Sequence, residues 1–150
     1  MTDVVRLFQT VDAPAWAAMR AALWPDADPD ELRREAAAFA AGGKLPTPQV
    51  VFIAEDDENS IGFLELSVRP YANGCDSTPV PFIEGWYVEA SARHRGVGRA
   101  LIRAAEDWSR ERGFVEIGSD TEVANQDSVE AHARCRFAET ERVVYFRKGI

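Results

Sequence analysis

Cysteine is nearly absent: Cys75 and Cys135 are the only two in 150 residues. Two cysteines cannot make the disulfide framework of a small secreted domain, so a reducing cytoplasm is the expected compartment. Histidine is as scarce, and no His/Cys cluster has the spacing of a metal site, so no metal is expected. No run of roughly 18 apolar residues occurs, which argues against a membrane span. The opening Met1-Thr2-Asp3-Val4-Val5-Arg6 lacks the basic-then-apolar order of a signal peptide. Repeats, low-complexity tracts and linkers are missing too, and the length suits one domain spanning 1–150. Positive charge is in deficit: the formal net charge is −8. That disfavours nucleic acid and anionic membrane surfaces as partners. It is compatible with a cationic substrate, and equally with plain solubility.

What is present can build a core, since 46% of the residues are hydrophobic. Residues 4–8 read as a strand. Asp12 and Pro14 open a helix that carries Trp16, Met19 and Leu23 on one stripe and breaks at Trp24-Pro25-Asp26. Asp28-Pro29 opens a second helix, ended by Gly42-Gly43. Residues 50–55 and 61–68 form a hairpin about a polar turn at 56–59. A loop at 70–81 leads into a strand at 82–88. Val97, Ala100, Leu101, Ala105 and Trp108 then make the apolar stripe of a long helix ending near Arg112-Gly113. A short strand at 116–119, a helix at 125–135 and a last strand at 139–147 complete an α/β order of β-αα-β-β-β-α-β-α-β.

The turn between the 82–88 strand and the long helix carries the most chemistry. From Arg93 to Gly98 it reads Arg-x-x-Gly-x-Gly. Two glycines let a ligand approach the backbone, and the helix aims its first free N–H groups into the same turn. Arg93, His94, Arg95 and Arg99 add positive potential. A pyrophosphate suits such a place, although a glycine pair before a helix is also ordinary loop chemistry. A dinucleotide fingerprint would need a third glycine where Leu101 stands.

This segment resembles motif A of the GNAT superfamily, the Gcn5-related N-acetyltransferases. The resemblance implies a mixed sheet splayed near its middle, with the pantetheine arm of acetyl-coenzyme A between the splayed strands. Further blocks narrow it. Leu23-Trp24-Pro25, the loop 71–80 with its Asn-Gly-Cys-Asp-Ser, Glu84-Gly85, Ser119-Asp120-Thr121 and residues 137–143 with Glu-Thr-Glu-Arg are similar to aminoglycoside 6'-N-acetyltransferases of the chromosomal, dimeric type. That likeness implies that Trp24 and Tyr71 line an antibiotic pocket and that Glu84, Asp120 and Glu141 hold its ammonium groups. It also implies that Trp86, Tyr87 and Val88, with His94, Arg95, Gly96, Val97, Gly98 and Arg99, bind acetyl-coenzyme A, and that Asn125 touches the pantetheine arm. A homodimer is implied as well. One departure stands out: Cys135-Arg136-Phe137 replaces the usual Leu-Gly-Phe, so Arg136 is expected in a conformation suited to glycine.

Acetyl transfer needs a neutral amine, a polarised thioester and a proton for the departing thiolate. Asp120, just past a strand end, is the candidate for orienting and deprotonating the amine, with Glu84 and Glu141 as cation binders. A backbone N–H near Val88 is the candidate oxyanion donor. His132 stands seven residues after Asn125, where many members have a tyrosine, and is the candidate acid; a packing role is its alternative. Three functions fit these residues. The first is 6'-N-acetylation of cationic aminoglycosides, giving resistance. The second is acetylation of another small polyamine or a protein amine. The third is a non-catalytic coenzyme-A-binding module.

Overall fold

The computed structural model describes residues 3–43 and 50–150. Strands β1 (Asp3–Leu7), β2 (Val50–Asp56), β3 (Asn59–Arg69) and β4 (Val80–Val88) pair antiparallel in the order β1-β2-β3-β4. Helices α1 (Ala13–Leu23) and α2 (Pro29–Ala40) cover one face, and α3 (Val97–Glu111) covers the other. A shorter helix, α4 (Gln126–Arg134), closes the order.

Local chemistry starts and stops these elements. Pro29 is the first residue of α2, and the Asp28 carboxylate accepts from the Asp30 N–H at 3.0 Å. Asp12 precedes α1 but does not cap it with its side chain. Arg6 of β1 and the Gln9 N–H take that carboxylate instead, at 2.8 and 2.7 Å. Asp57 and Glu58, both at positive φ, make the two-residue turn that joins β2 to β3. Helix α3 ends on Gly113 (φ +83), with the Phe114 N–H reaching back to Ser109 O at 3.0 Å.

Strand alternation sorts the core. Val51 and Ile53 of β2 and Phe63 of β3 face α1 and α2, where Trp16, Met19 and Ala36 pack. Phe52, Ala54, Leu64 and Leu66 face α3. Both faces are covered, so β3 is an almost unbroken buried run. Helix α3 turns Val97, Leu101, Ile102 and Ala105 inward. The expected stripe is therefore rotated slightly: Ala100 and Trp108 are only half-buried, and Ile102 and Ser109 take inner places. Trp108 lies at the rim, under the Arg112 guanidinium at 4.0 Å. Each large apolar side chain fully buried here contributes roughly 1.5–3 kcal/mol.

Two expected strands turn out differently. Residues 116–119 touch the sheet at one parallel bridge, Phe82 to Gly118. The Ile83 N–H donates to Gly118 O and the Gly118 N–H to Pro81 O, each at 2.9 Å. A Cβ on Gly118 would lie 2.7 Å from Cys75 Sγ and 2.9 Å from the Phe82 ring, so only glycine can approach there. Residues 139–147 form no strand. Val144, Tyr145 and Phe146 stay 76%, 82% and 91% exposed. An extended segment becomes a strand only against a free backbone edge, and among the described residues this one meets none.

Candidate active site

The sheet forks beside β4. Between Glu65 and Leu66 the register to β4 shifts, because Glu65 pairs with Gly85 while Leu66 pairs with Ile83. Glu84 is the extra residue of this bulge, and a bulge bends its strand and re-aims side chains. Gly118 still contacts β4 just before it; beyond it the 116–119 segment makes no further bridge to β4. The Glu89 N–H donates to Ile61 O at 2.8 Å, which sets the phase of the β3–β4 ladder. By antiparallel alternation Phe63 and Tyr87 exchange hydrogen bonds, whereas Trp86 and Val88 turn their N–H and C=O groups to the open edge. So of the three candidate backbone contacts, Trp86 and Val88 face the fork and Tyr87 faces β3. The Val88 carbonyl already accepts from Arg93 Nε at 2.9 Å.

The glycine turn lies at the end of that edge. Gly96 caps α3 at φ +86, a left-handed conformation natural to glycine. The first helical hydrogen bond runs from the Ala100 N–H to Gly96 O, so the N–H groups of Val97, Gly98 and Arg99 point out of the helix end. A Cβ on Gly96 would find no atom within 4 Å, so the space before those donors is open. Gly98 serves differently: a Cβ there would press on the Trp86 ring at 3.2 Å, and Trp86 Nε1 donates to Gly98 O at 3.1 Å. Open space, free donors and the positive end of a helix dipole suit a pyrophosphate. The flanking charges are unequal. Arg95 is shared between Asp3 and Asp56 at 3.2 and 2.9 Å. Arg99 reaches Arg134 O at 3.3 Å, and His94, at φ +64, is exposed.

On the other side of the fork the charge is acidic but partly spent. Arg69 grips Glu84 with two hydrogen bonds, Nε to Oε2 at 2.8 Å and Nη2 to Oε1 at 2.7 Å, and Ser67 Oγ donates as well. Partial burial pushes the Glu84 carboxyl up, and the Arg69 and Ser67 hydrogen bonds outweigh it, leaving it below its ordinary value. A substrate ammonium at Glu84 must therefore share it with Arg69. The Arg69 guanidinium lies 3.6 Å from the Phe82 ring centroid and feels the charge of Asp120. Asp120 itself is exposed, just past the fork.

Trp24 sits at the C-terminal end of α1, half-buried, edge-on to Phe63 at 6.5 Å between centroids. Its indole covers Gly85. Arg20 lies 5.2 Å from that ring and is held from below by the buried Glu65, Nε to Oε1 at 2.6 Å, with Trp16 Nε1 donating to the same oxygen at 3.1 Å. Tyr71, at 70% exposure, and the exposed Glu141 lie away from this packing. Neither makes a hydrogen bond or ion pair among the described residues.

Helix α4 supplies the remaining candidates. Asn125 caps it, its side-chain oxygen accepting from the Ser128 N–H at 3.1 Å. His132, two turns on, lies edge-on to both Trp86 and Phe137 and hydrogen-bonds Ser119. Ser67, Arg69 and the Arg20–Glu65 pair escape sequence reasoning, and Ser119 and Gly85 enter it only as members of matched blocks, with no role. A serine or arginine in a strand gives no local sign of the carboxylate or imidazole it will meet. Glu65, a lone acid in the apolar run from Ile61 to Leu66, was the one visible anomaly. Among the described residues no group of three or more His, Cys, Asp or Glu side chains could hold a metal, and no helix is long and apolar enough to cross a membrane.

Known proteins share this fold. Residues 14–137 match the model of the acetyltransferase (GNAT) family. The chain is similar to aminoglycoside N(6')-acetyltransferase type 1 of Klebsiella aerogenes, with 47% identity over 150 residues that cover 99% of this chain and 98% of that one. The same-named protein of Stenotrophomonas maltophilia is 44% identical, over 97% of this chain and 93% of its own. Among solved structures, AAC(6')-Iy in complex with the bisubstrate analogue CoA-S-monomethyl-acetylneamine matches with a TM-score of 0.88 at 35% identity, covering 100% of both chains.

Proposed function

The chain belongs to the acetyltransferase (GNAT) family, and within it we propose that this protein transfers the acetyl group of acetyl-coenzyme A to the 6'-amino group of aminoglycosides. The observation that carries this reading is the full-length likeness to AAC(6')-Iy bound to a coenzyme A–acetylneamine analogue. The fork agrees with it on physical grounds. An anion-ready helix end and an open strand edge lie on one side, and carboxylates on the other.

In this reading the pyrophosphate takes the N–H groups of Val97, Gly98 and Arg99, and the pantetheine arm takes those of Trp86 and Val88 as an added strand would. A backbone N–H of this open edge that the pantetheine arm leaves free faces the thioester oxygen and stabilises the oxyanion. Trp24 gives the aminoglycoside an apolar wall, and Glu84 and Asp120 hold its ammonium groups. Asp120, the exposed member, takes a proton from the incoming ammonium and passes it to water. Tyr71 and Glu141 approach the substrate from the loop and the tail.

The tail also supports a homodimer. Residues 143–146 are apolar, exposed and outside any strand, and such a segment can be satisfied by pairing with a second copy of the chain. A cytoplasmic setting, where acetyl-coenzyme A is made, completes the reading.

Thiol release with paired substrates tests the activity. Aminoglycosides bearing a 6'-amine release coenzyme A, and those bearing a 6'-hydroxyl do not. Equal release with both contradicts the assignment.

A further inference from the structure

His132 and Ser119 form a hydrogen-bonded pair whose polarity can be read. His132 Nδ1 lies 2.7 Å from the carbonyl oxygen of Ser128, with Ser128 Oγ farther away at 3.4 Å. A carbonyl oxygen only accepts, so Nδ1 carries the hydrogen. When the ring is neutral, Nε2 carries a bare lone pair 2.7 Å from Ser119 Oγ, and the serine hydroxyl donates to it. Helix α4 thus orients the imidazole with a backbone carbonyl, and the imidazole draws on the hydroxyl. This is the nucleophile–base–orienter order found in proton-transfer sites. The ring is wedged between Trp86 of β4, 5.2 Å away, and Phe137, 5.3 Å away. Trp86, Phe137, Ser119 and Ser128 pack on it or hydrogen-bond it, and none of these four is charged. Ser119 follows Gly118, where its segment bridges β4. The hydroxyl therefore stands at the root of the fork, one residue before Asp120, the base of the proposed reaction.

We propose that Ser119 and His132 form a two-way proton relay for acetyl transfer, an inference that rests on the function proposed above. The neutral amine attacks the thioester carbonyl. A C–N bond forms, the carbonyl pair moves to oxygen, and the nitrogen becomes cationic. Ser119 Oγ takes a proton from that nitrogen while passing its own to His132 Nε2. The oxyanion collapses, the C–S bond breaks, and its pair leaves on sulfur. The imidazolium returns its proton to Ser119, and the serine hydroxyl gives its proton to the thiolate. The relay ends as it began, and one proton has moved from nitrogen to sulfur. Ser119 touches the reacting atoms, and His132 acts through it. The tautomer requires this order, because a neutral His132 with a bare Nε2 has no proton to offer until the amine has supplied one.

The test compares wild type with Ser119→Ala, Ser119→Thr and His132→Gln, using any amine the wild type acetylates from a panel of 6'-aminoglycosides, spermine and a lysine peptide. Folding and coenzyme affinity are checked by thermal melting and by titration with coenzyme A. Relay loss lowers kcat by about 10²-fold or more, within the range of general acid–base catalysis. It leaves the KM for acetyl-coenzyme A in place. Ser119→Thr, which keeps a hydroxyl, recovers most of the rate, and His132→Gln, which removes the acceptor at Nε2, loses as much kcat as Ser119→Ala. Unchanged kcat in folded Ser119→Ala, or a loss that threonine does not repair, overturns the relay and leaves the function standing. An acetyl group trapped on Ser119 in the absence of amine also overturns it, by making the serine a nucleophile. A wild type that acetylates 6'-hydroxyl aminoglycosides equally well, with the relay variants impaired, separates the cases the other way. A wild type that acetylates no amine of the panel overturns both.

Discussion

The indole of Trp24 fills the space a side chain at Gly85 would need: a Cβ built on Gly85 falls 3.0 Å from Trp24 Cη2 and 3.1 Å from Cζ2. Phe63 closes the same space at 3.3 Å. Glycine at 85 is thus the seat of the aromatic wall assigned to the aminoglycoside. Gly85→Ala should displace the indole while leaving the coenzyme edge intact. Overpacking of this kind costs roughly 1–3 kcal/mol. About 1.4 kcal/mol of it lost from the substrate contact raises the aminoglycoside KM about tenfold. Steady-state kinetics checks this, and an equal rise in the KM for acetyl-coenzyme A would contradict it.

Gly96→Val should weaken coenzyme binding. The position has φ +86, where a non-glycine residue costs roughly 1–2 kcal/mol. The new side chain would also enter the open space before the first N–H groups of α3. Calorimetric titration should show at least a tenfold weaker coenzyme A affinity in a variant that still melts cooperatively. Unchanged affinity would remove the helix end from the site.

Arg136→Gly should stabilise the protein. Arg136 holds φ +67 at the end of α4, where its N–H meets Ala133 O and the Phe137 N–H meets His132 O, both at 3.0 Å. Those bonds belong to a glycine-type helix end. Relief of left-handed strain is worth about 1 kcal/mol, or roughly 2–4 °C in Tm for a chain of this size. Calorimetry reads the shift, and kcat should not change.

Stability should fall on the acid side, and Glu84 should carry part of the slope. Glu84 and Asp12 both lie below their ordinary values, Glu84 through Arg69 and Ser67 against its burial, and Asp12 through Arg6 first. They bind protons more weakly folded than unfolded. The stability they contribute is therefore complete above the unfolded carboxylate range of about 4 and is lost as pH falls through their lower folded values. Urea unfolding should give a plateau from neutral pH down to about 5 and a decline beneath it. Glu84→Gln should flatten that decline; an unchanged slope would show that the Arg69 pair does not hold the carboxylate down.

The chain should also run as a dimer in light scattering, at twice the mass of one chain. A chain ended after Ala138, which lacks the exposed Val143–Phe146 run, should run as a monomer. A full-length monomer at micromolar concentration would leave the tail without a partner.

Sequence alone determined those features that depend on a residue's immediate neighbours along the chain. Asp28-Pro29 starts α2, Gly113 ends α3, and Gly96 opens the anion-ready turn, because capping, φ and helix-end donors are set within a few residues. The apolar runs at 50–55 and 61–68, with polar residues between them, likewise marked two strands and their turn. Tertiary structure alone decided what each carboxylate meets. Glu84 became the gripped residue of a bulge because β3 brings Ser67 and Arg69 beside it from 17 and 15 residues away. Ser119 met His132 only because a single bridge at Gly118 and the docking of α4 bring two segments 13 residues apart to one fork. Residues 139–147 have the composition of a strand, yet a strand exists only when another backbone takes its hydrogen bonds, and no composition can guarantee that partner.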